Sequence, residues 1–306
     1  MNADLVRDID RVGTADGLVV TLGEWFACSA GSTLTGCDLY GPPLQSILRG
    51  FVSHPEQLGF LSLVEKENRR VVNGGRVLEI GSYDVNGSMR ELYSHCREYI
   101  GVDLCEGPGV DSVGFGHELD LPDSSFDVAI SGECFEHDPY WTKTVLNMCR
   151  MTRPGGLVAF TCASAGRPEH GTRRTDQHES PGTQAQGLDY YRNLTEQDFS
   201  RELDLQEFFS SWSFWYLPTH CDLYFAGVRG GLGTEVAVSA RLPRDEDVKA
   251  LRGIMSLPHR VARIPLRVAQ RFVDGDRYQD VIRPYWRTLL RIQDVALGGR
   301  FRRASH

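Results

Sequence analysis

The residues with the clearest chemical potential lie between Ser131 and Asp138, directly after a short apolar segment. This stretch places Glu133, Glu136 and His137 at positions i, i+3 and i+4. In a helix these three side chains would share one face. Two carboxylates and one imidazole that converge in this way can bind a divalent cation. In the alternative interpretation, a carboxylate caps the following chain and the histidine serves as a general base.

Two further apolar segments end in residues suited to bind a ligand. Residues 77–80 end in Gly81, a pattern typical of a buried parallel strand followed by a tight turn. Residues 99–102 end in Asp103, which lies 24 positions after Glu79. Backbone N–H groups at such a turn can hold a carboxylate, and an acid that ends the next strand can accept both hydroxyls of a ribose.

These segments resemble class I S-adenosylmethionine (SAM)-dependent methyltransferases. Residues 77–81 are similar to motif I of that family, in which an acid and a glycine-rich turn hold SAM. The chain departs from the family pattern because Tyr83 and Val85 occupy the second and third glycine positions. Gly87 comes two residues late. The altered turn puts its path over the methionine part of SAM in question.

The resemblance covers roughly residues 75–165 and returns weakly at residues 222–227. Within it, residues 116–128 are similar to the family segment in which a polar residue contacts adenine, here His117 or Glu118. The resemblance implies SAM as the cofactor. The cofactor-binding residues that follow from it are Glu79, Gly81, Ser82, Tyr83, Asn86, Gly87, Asp103, Leu104, His117, Glu118 and Glu133.

The Glu-x-x-Glu-His spacing is also similar to that of ubiquinone-pathway O-methyltransferases and small-RNA 3′-end methyltransferases, in which it binds a divalent metal. The implied ligands of Mg²⁺ or another divalent metal are Glu133, Glu136, His137 and a later histidine, either His170 or His178. A bound cation would stabilise the alkoxide that develops on an acceptor hydroxyl. The catalytic base would be His137 if it is not a ligand, and otherwise His170 or His178.

The order of segments predicts a Rossmann-like α/β fold with a doubly wound, mostly parallel sheet and an antiparallel closing strand. We expect a helix with Thr195 as N-cap and Asp198 at N3. The other predicted elements are strands over 76–80, 99–103, 126–131, 157–161, 205–216 and 222–228, and helices over 88–96 and 142–151, the second ending at Pro154-Gly155-Gly156.

Three regions are expected along the chain. Residues 1–70 form an N-terminal lead-in, with a short strand at 18–22 and a helical pattern over 44–70. Residues 71–240 form the methyltransferase domain, which includes a long substrate loop at 163–194. Residues 241–306 form a helical C-terminal extension with breaks at Pro258, Pro265 and Pro284.

The charge of the chain is unevenly distributed. The formal net charge is −8, but residues 252–306 contain twelve arginines and four aspartates and no other acid or lysine, so this tail carries +8 and the remainder −16. The tail is either a solvated or self-associating face of a homo-oligomer, or a surface that contacts an anionic substrate or a membrane.

Composition limits the class of protein. Hydrophobic content is 41%, and no apolar run approaches the roughly 20 residues of a bilayer span. The first residues are not expected to form a signal peptide. The eight cysteines are scattered without a Cys-x-x-Cys pair, which predicts reduced thiols in the cytoplasm and disfavours a structural zinc site or a disulfide framework.

Three functions are compatible with these patterns. Polar and aromatic residues in the substrate loop favour an O-methyltransferase that acts on a hydroxyl of a sugar or polysaccharide precursor. The first alternative is an O- or N-methyltransferase of an aromatic or lipid-like metabolite, which predicts an apolar pocket. The second is a non-catalytic SAM-fold module or a nucleic-acid binder. The acidic bulk of the chain argues against nucleic acid as a partner.

Overall fold

The computed structural model describes residues 55–296, except for residues 86, 232–238, 254, 256 and 274. The strand expected at residues 18–22 and the part of the helical pattern over 44–54 lie outside the described residues. The remainder of that pattern forms helix α1 (Pro55–Glu67) and the short helix α2 (Arg69–Val72).

A seven-stranded sheet forms the centre of the described chain. Its spatial order is β3–β2–β1–β4–β5–β7–β6, and β7 runs in the direction opposite to the other six strands. This arrangement confirms the predicted Rossmann-like α/β class with an antiparallel closing strand. The strands are β1 (Arg76–Ile80), β2 (Glu98–Asp103), β3 (Ser112–Val113), β4 (Phe126–Gly132), β5 (Thr152–Ala163), β6 (Phe209–Leu217) and β7 (Asp222–Arg229).

Apolar side chains fill both faces of the sheet, because nearly every residue of the central strands is buried. On one face, the Phe160 ring stacks between the rings of Phe199 and Phe225, at centroid distances of 4.9 and 4.6 Å. On the other face, Phe60 of α1 packs against Trp215 and Tyr224. The sheet is therefore covered on both sides, as a doubly wound fold requires.

Two predicted elements differ in extent. The helix expected over 88–96 is a 3₁₀ helix at Met89–Tyr93, which Ser88 caps through its hydroxyl. The next helix, α3 (Trp141–Met151), forms as predicted. However, Pro154-Gly155-Gly156 does not separate it from the next strand, because β5 already starts at Thr152. The Thr152 hydroxyl donates to Met148 O, so the chain passes directly from helix to strand.

The substrate loop contains short helical segments and leads into the predicted capped helix. A 3₁₀ helix (Gln177–Glu179) is followed by α4 (Pro181–Ala185) and α5 (Glu196–Glu202). At α5, Thr195 and Asp198 form the reciprocal capping box that the sequence predicts. The predicted strand over 205–216 begins instead with the short helix α6 (Leu205–Phe208), and β6 follows it.

Four helices follow the sheet: α7 (Asp245–Ala250), α8 (Leu257–Ala262), α9 (Ile264–Ala269) and α10 (Gly275–Ala296). Pro258 and Pro265 lie in the first turns of α8 and α9, where a missing N–H costs nothing. The break expected at Pro284 is wrong, because Pro284 lies inside α10. A search of the described helices found none that is both long enough and apolar enough to cross a bilayer.

Candidate active site

The segment after β4 is a turn rather than the helix that would place Glu133, Glu136 and His137 on one face. Glu133 has a φ of 49°, which ends the strand abruptly. His137 N then donates to Cys134 O. The turn separates Glu133 from its expected partners and directs Glu136 and His137 toward the substrate loop.

A compact cluster forms where this turn meets the substrate loop. Ligand atoms of Glu136, His137 and His170 all lie within 4.8 Å of one another, and we refer to these residues as the acid–histidine cluster. The imidazole rings of the two histidines also contact the ring of Tyr191, at centroid distances of 5.3 and 5.0 Å. The structure thus brings together three of the four predicted metal ligands. Glu133 lies outside this group, and His178 is exposed on the 3₁₀ helix of the loop.

The orientation of His170 defines the chemistry of the cluster. Its Nδ1 lies 3.3 Å from the carbonyl oxygen of Pro168, which can only accept a hydrogen bond. In the neutral ring, Nε2 therefore carries the lone pair, and it lies 3.9 Å from Glu136 Oε1. Two electron-pair donors that face one another in a buried site need a proton or a cation between them.

Burial controls protonation in the cluster. It raises the pKa of Glu136 well above its ordinary value, with the charge of Glu133 as the second cause. Burial also lowers the pKa of His137 to about 4 and that of His170 well below its ordinary range. Both histidines are consequently neutral near pH 7, which is the form that binds a metal or accepts a proton.

The nearby carboxylates have too few partners. All four carboxylate oxygens of Glu133 and Glu136 are buried and lack a hydrogen-bond partner among the described residues. Arg167 is the buried cation of this region, and its Nη1 lies 3.3 Å from Oδ1 of the fully buried Asp222. Three acids thus surround one guanidinium. The donor set of carboxylate oxygens and imidazole nitrogens fits a divalent cation, which would supply the missing positive charge.

The C-terminal helix α10 fixes the first part of the substrate loop. Gln279 Nε2 donates to Arg167 O and to the side chain of Asn193, while its Oε1 accepts from Glu169 N. Directly before Arg167, Gly166 N donates to the Tyr278 hydroxyl over 2.8 Å. The backbone on both sides of Arg167 is therefore held by residues more than 100 positions away.

The glycine turn after β1 is tight and packs closely against Cys134. Gly81 has a φ of +81°, and a Cβ at this position would lie 2.7 Å from Cys134 Cβ, so only glycine fits. The Ser82 hydroxyl is buried and has no partner among the described residues. Tyr83, at a departure from the family pattern, packs its ring against Gly107. Gly87 N donates to Asp84 Oδ1 over 2.6 Å. Asn86 lies outside the described residues.

Asp103 ends β2 at the same edge of the sheet. Its two oxygens accept hydrogen bonds from the backbone N–H groups of Leu104 and Tyr83, at 2.7 and 2.9 Å. Each oxygen keeps a second lone pair that could accept a hydroxyl. Part of the substrate loop lies over this carboxylate, because Gly182 contacts it and Gln186 Nε2 donates to Leu104 O.

Three further predicted cofactor residues, Glu79, His117 and Glu118, differ in how firmly their side chains are held. Glu79 is buried and accepts a hydrogen bond from the Tyr99 hydroxyl at 2.6 Å. The His117 ring packs on the ring of Tyr140, at 4.3 Å between centroids, and its side chain is largely buried. The side chain of Glu118 is 68% exposed. Of the two candidates for the adenine contact, His117 is thus the one held in a defined position.

The class of protein follows from the family match and the fold. A family model described as a methyltransferase domain matches residues 78–160, which extend from β1 into β5. The seven-stranded sheet and its single antiparallel strand agree with that match. Residues 78–160 therefore form a methyltransferase domain within a Rossmann-like α/β fold.

Solved structures similar to this chain are distant from it. The YcgJ protein from Bacillus subtilis is 14% identical, with 58% of this chain and 100% of that chain covered and a TM-score of 0.42. A phosphoethanolamine N-methyltransferase from Haemonchus contortus, in complex with phosphomonomethylethanolamine and S-adenosylhomocysteine, is 16% identical over 56% of this chain and 52% of that chain, with a TM-score of 0.41.

A 1,6-didemethyltoxoflavin-N1-methyltransferase from Burkholderia thailandensis, which has S-adenosylhomocysteine bound, is 16% identical. The similarity covers 57% of this chain and 80% of that chain, with a TM-score of 0.41. A search of curated proteins found no match.

Several residues near the cluster were not predicted as site residues. Asp222 begins the closing strand β7, and its only signal in the sequence is a charged residue at the edge of an apolar segment. Tyr191 and Arg167 stand out only as members of a polar loop. Gln279 has no sequence signal at all, because its role depends on packing between distant segments.

Proposed function

We propose that this chain is an O-methyltransferase that methylates a hydroxyl of a sugar or polysaccharide precursor with the help of a divalent cation. The observation that carries this proposal is the approach of the His170 Nε2 lone pair to Glu136 Oε1, with His137 in the same cluster. We assign Glu136, His137 and His170 as the metal ligands, and Glu133, whose charge acts on Glu136, as a contributor through a bridging water. The domain limits of 71–240 and 241–306 remain part of this proposal.

The cofactor would lie along the edge formed by β1 and β2. In this arrangement the Gly81–Ser82 turn contacts the methionine part of SAM, and the free lone pairs of Asp103 accept the ribose hydroxyls. His117 would contact the adenine. Bound SAM would supply an electrophilic methyl group on a positively charged sulfur. The leaving group is the neutral thioether S-adenosylhomocysteine, which needs no further activation. The residues must therefore place the acceptor oxygen in line with that methyl group and remove its proton.

Within the cluster, a bound cation would lower the energy of the developing alkoxide. The residues of the chain would orient the acceptor and accept the proton that its hydroxyl group loses. Neutral His170 can accept a proton at Nε2 in a molecule without a metal, and the buried carboxylate of Glu133 is a second acceptor nearby. His178 is a candidate base only if the loop moves, because it is exposed in this structure.

The polarity of the site favours a hydroxylated acceptor. The polar side chains of Arg167 and Asp222 are buried beside the cluster, and these groups can bind sugar hydroxyls but oppose an apolar ring. Tyr191 offers the aromatic surface on which a sugar ring could pack. The alternative, an aromatic or lipid-like acceptor, requires an apolar pocket at this position, and the described residues of the cluster do not form one.

Release of S-adenosylhomocysteine from SAM tests the proposal. The purified chain would be assayed with mono- and oligosaccharides, catechols and a short RNA, each with EDTA and with EDTA followed by excess Mg²⁺ or Mn²⁺. We expect turnover of a saccharide that EDTA stops and metal restores. Glu136→Gln should lose metal-dependent turnover, whereas the matched control Glu207→Gln, at an exposed carboxylate outside the predicted site, should retain the metal requirement. Turnover of a catechol that ignores EDTA would overturn both the acceptor class and the metal.

A further inference from the structure

Exposed apolar side chains form the most distinctive surface outside the active site. They lie along α8, α9 and the turn after α9, at spacings of four, three, four and four residues, which places them on one face of a helix. Their exposed fractions range from 46 to 83%. We call this face the outer stripe, and it consists of Leu257, Val261, Ile264, Val268 and Phe272.

The opposite face of the same segment is firmly packed. Leu266 is buried in a small core with Tyr278, Ile282 and Trp286 of α10. Arg263 is also buried and donates to the carbonyl oxygens of Pro218 and Thr219. The inner face thus fixes the orientation of α8 and α9, and the outer stripe points away from the domain because of that packing.

Arginines border the outer stripe on one side. At 100° per residue, Arg260, Arg267 and Arg271 fall together along one edge of it, and all three are exposed. Residues 257–273 contain four arginines and no acidic residue, although the chain as a whole has a net charge of −8. The segment is therefore amphipathic and basic, and its charge is opposite to that of the rest of the protein.

We propose that the outer stripe and its arginine edge dock this enzyme on an anionic lipid bilayer. Apolar side chains flanked by arginines match the interfacial region of a bilayer, where the apolar groups enter the acyl boundary and the guanidinium groups bind lipid phosphates. The acidic remainder of the chain would orient this face toward a negative surface and keep the opposite face away. An antiparallel pair of copies, related by a two-fold axis across the helices, would bring the two arginine edges close together, which opposes that form of self-association.

The docking face lies beside a groove that leads toward the substrate loop. Ile264, Val268 and Arg267 line this groove of about 610 Å³ together with Tyr216 and Ser164. Ser164 directly follows β5, three residues before Arg167 of the active-site region. An acceptor carried at the membrane surface would accordingly have a path from the docking face toward the loop.

Cosedimentation of the full chain with vesicles tests the proposal. The vesicles would be phosphatidylcholine alone or phosphatidylcholine with phosphatidylserine. We expect binding to the anionic vesicles only, and weaker binding as the salt concentration rises from about 0.1 M to about 0.5 M. The double variant Val268→Ser with Phe272→Ser should lose affinity for anionic vesicles by roughly tenfold or more, because two apolar anchors are removed.

Matched variants separate the docking face from general effects. Val113→Ser changes an apolar residue of similar exposure (49% against 46% for Val268) on β3, and it should bind vesicles like the unchanged chain. Replacing Arg260, Arg267 and Arg271 with glutamine should remove the preference for anionic lipid. The single variant Phe272→Ser, whose side chain does not line the groove, should bind anionic vesicles more weakly while turnover of a soluble acceptor and the melting temperature stay unchanged. This result separates the proposal from the proposed function.

Two results would overturn the proposal. One is that the pellet contains the same amount of protein with and without anionic vesicles. The other is a concentration-dependent dimer, measured by light scattering, that the Phe272 and Val268 substitutions dissociate while vesicle binding stays absent. That second result would assign the outer stripe to an interface between copies of this chain.

Discussion

Gly182 of the substrate loop lies directly against the carboxylate of Asp103. A Cβ at position 182 would overlap Asp103 Oδ1 and would lie 3.2 Å from Leu104 Cβ, so no larger residue fits there without moving the loop. Gln186 holds the same segment in place through its hydrogen bond to Leu104 O. Since Asp103 is the proposed ribose-binding acid, the loop that carries His170 also covers the cofactor edge.

Gly182→Val should speed both association and dissociation of S-adenosylhomocysteine. The added side chain pushes α4 away from Asp103, and the covered cofactor edge becomes accessible without a separate opening step. Stopped-flow fluorescence would measure both rate constants. Gly187→Ala is an informative control, because no atom lies within 4 Å of a Cβ at that loop position, although its φ of +69° makes the variant mildly strained. An unchanged association rate in Gly182→Val would show that this segment does not limit entry.

Asp103→Ala should weaken SAM binding by roughly tenfold or more, because it removes two oxygens that would each accept a hydrogen bond from a ribose hydroxyl. Calorimetric titration with SAM would measure the loss. The exposed Asp120, changed to asparagine, controls for the effect of net charge. An affinity equal to that of the unchanged chain would place the ribose elsewhere.

Divalent metal should raise the melting temperature of the unchanged chain. A cation that binds the folded cluster and not the unfolded chain stabilises the fold by mass action. The same cation should have little effect on Glu136→Gln or His170→Ala, since each lacks one member of the cluster. Thermal melts with EDTA, Mg²⁺ and Mn²⁺ would provide this comparison. Equal metal-induced shifts in all three proteins would show that the metal binds at another site.

Gln279→Leu should lower turnover and raise the KM for the acceptor while SAM affinity stays near its original value. The change removes two hydrogen bonds to the backbone at Arg167 and Glu169 and one to the Asn193 side chain, and we expect a loss of about 2 kcal/mol in the free energy of unfolding. Steady-state kinetics, SAM titration and urea unfolding would separate these effects. Arg287→Gln, at an exposed position on the same helix, serves as the control. Unchanged kinetics with reduced stability would limit Gln279 to a purely structural role.

The stability of the protein should fall as the pH rises from about 5 to about 8, in part because of Glu79. Burial raises the pKa of Glu79 from 4.5 to about 7, although the Tyr99 hydroxyl partly opposes this shift. An acid with a raised pKa takes up a proton on folding. Its favourable contribution is therefore complete below pH 4.5 and is lost as the pH passes through about 7.

Glu79→Gln should flatten this pH dependence by up to about 3 kcal/mol, because glutamine is neutral and can still accept from Tyr99. Urea unfolding of the ligand-free protein at several pH values would measure it. Glu91→Gln, which removes an exposed carboxylate, should leave the dependence unchanged. A parallel pH profile in Glu79→Gln and the unchanged chain would assign the effect to other groups.

The sequence by itself determined the order of the elements and the edge at which the site forms. Apolar runs such as residues 76–80 and 126–131 are local signals of buried strands, and the capping box of Thr195 and Asp198 depends only on residues three apart. Because the carboxyl ends of parallel strands meet at one edge, the sequence places Asp103 and Glu136 at the same edge of the sheet.

Only the tertiary structure decided which of these residues meet. The turn at Glu133, with its positive φ, separates that residue from Glu136 and His137, with which its spacing had grouped it. Of the two candidate histidines, His170 lies beside Glu136, whereas His178 is exposed. The pairing of Arg167 with Asp222 and the contacts of Gln279 join segments 55 and 112 positions apart. Such contacts arise from the packing of the substrate loop between β7 and α10, and no local pattern of residue types encodes them.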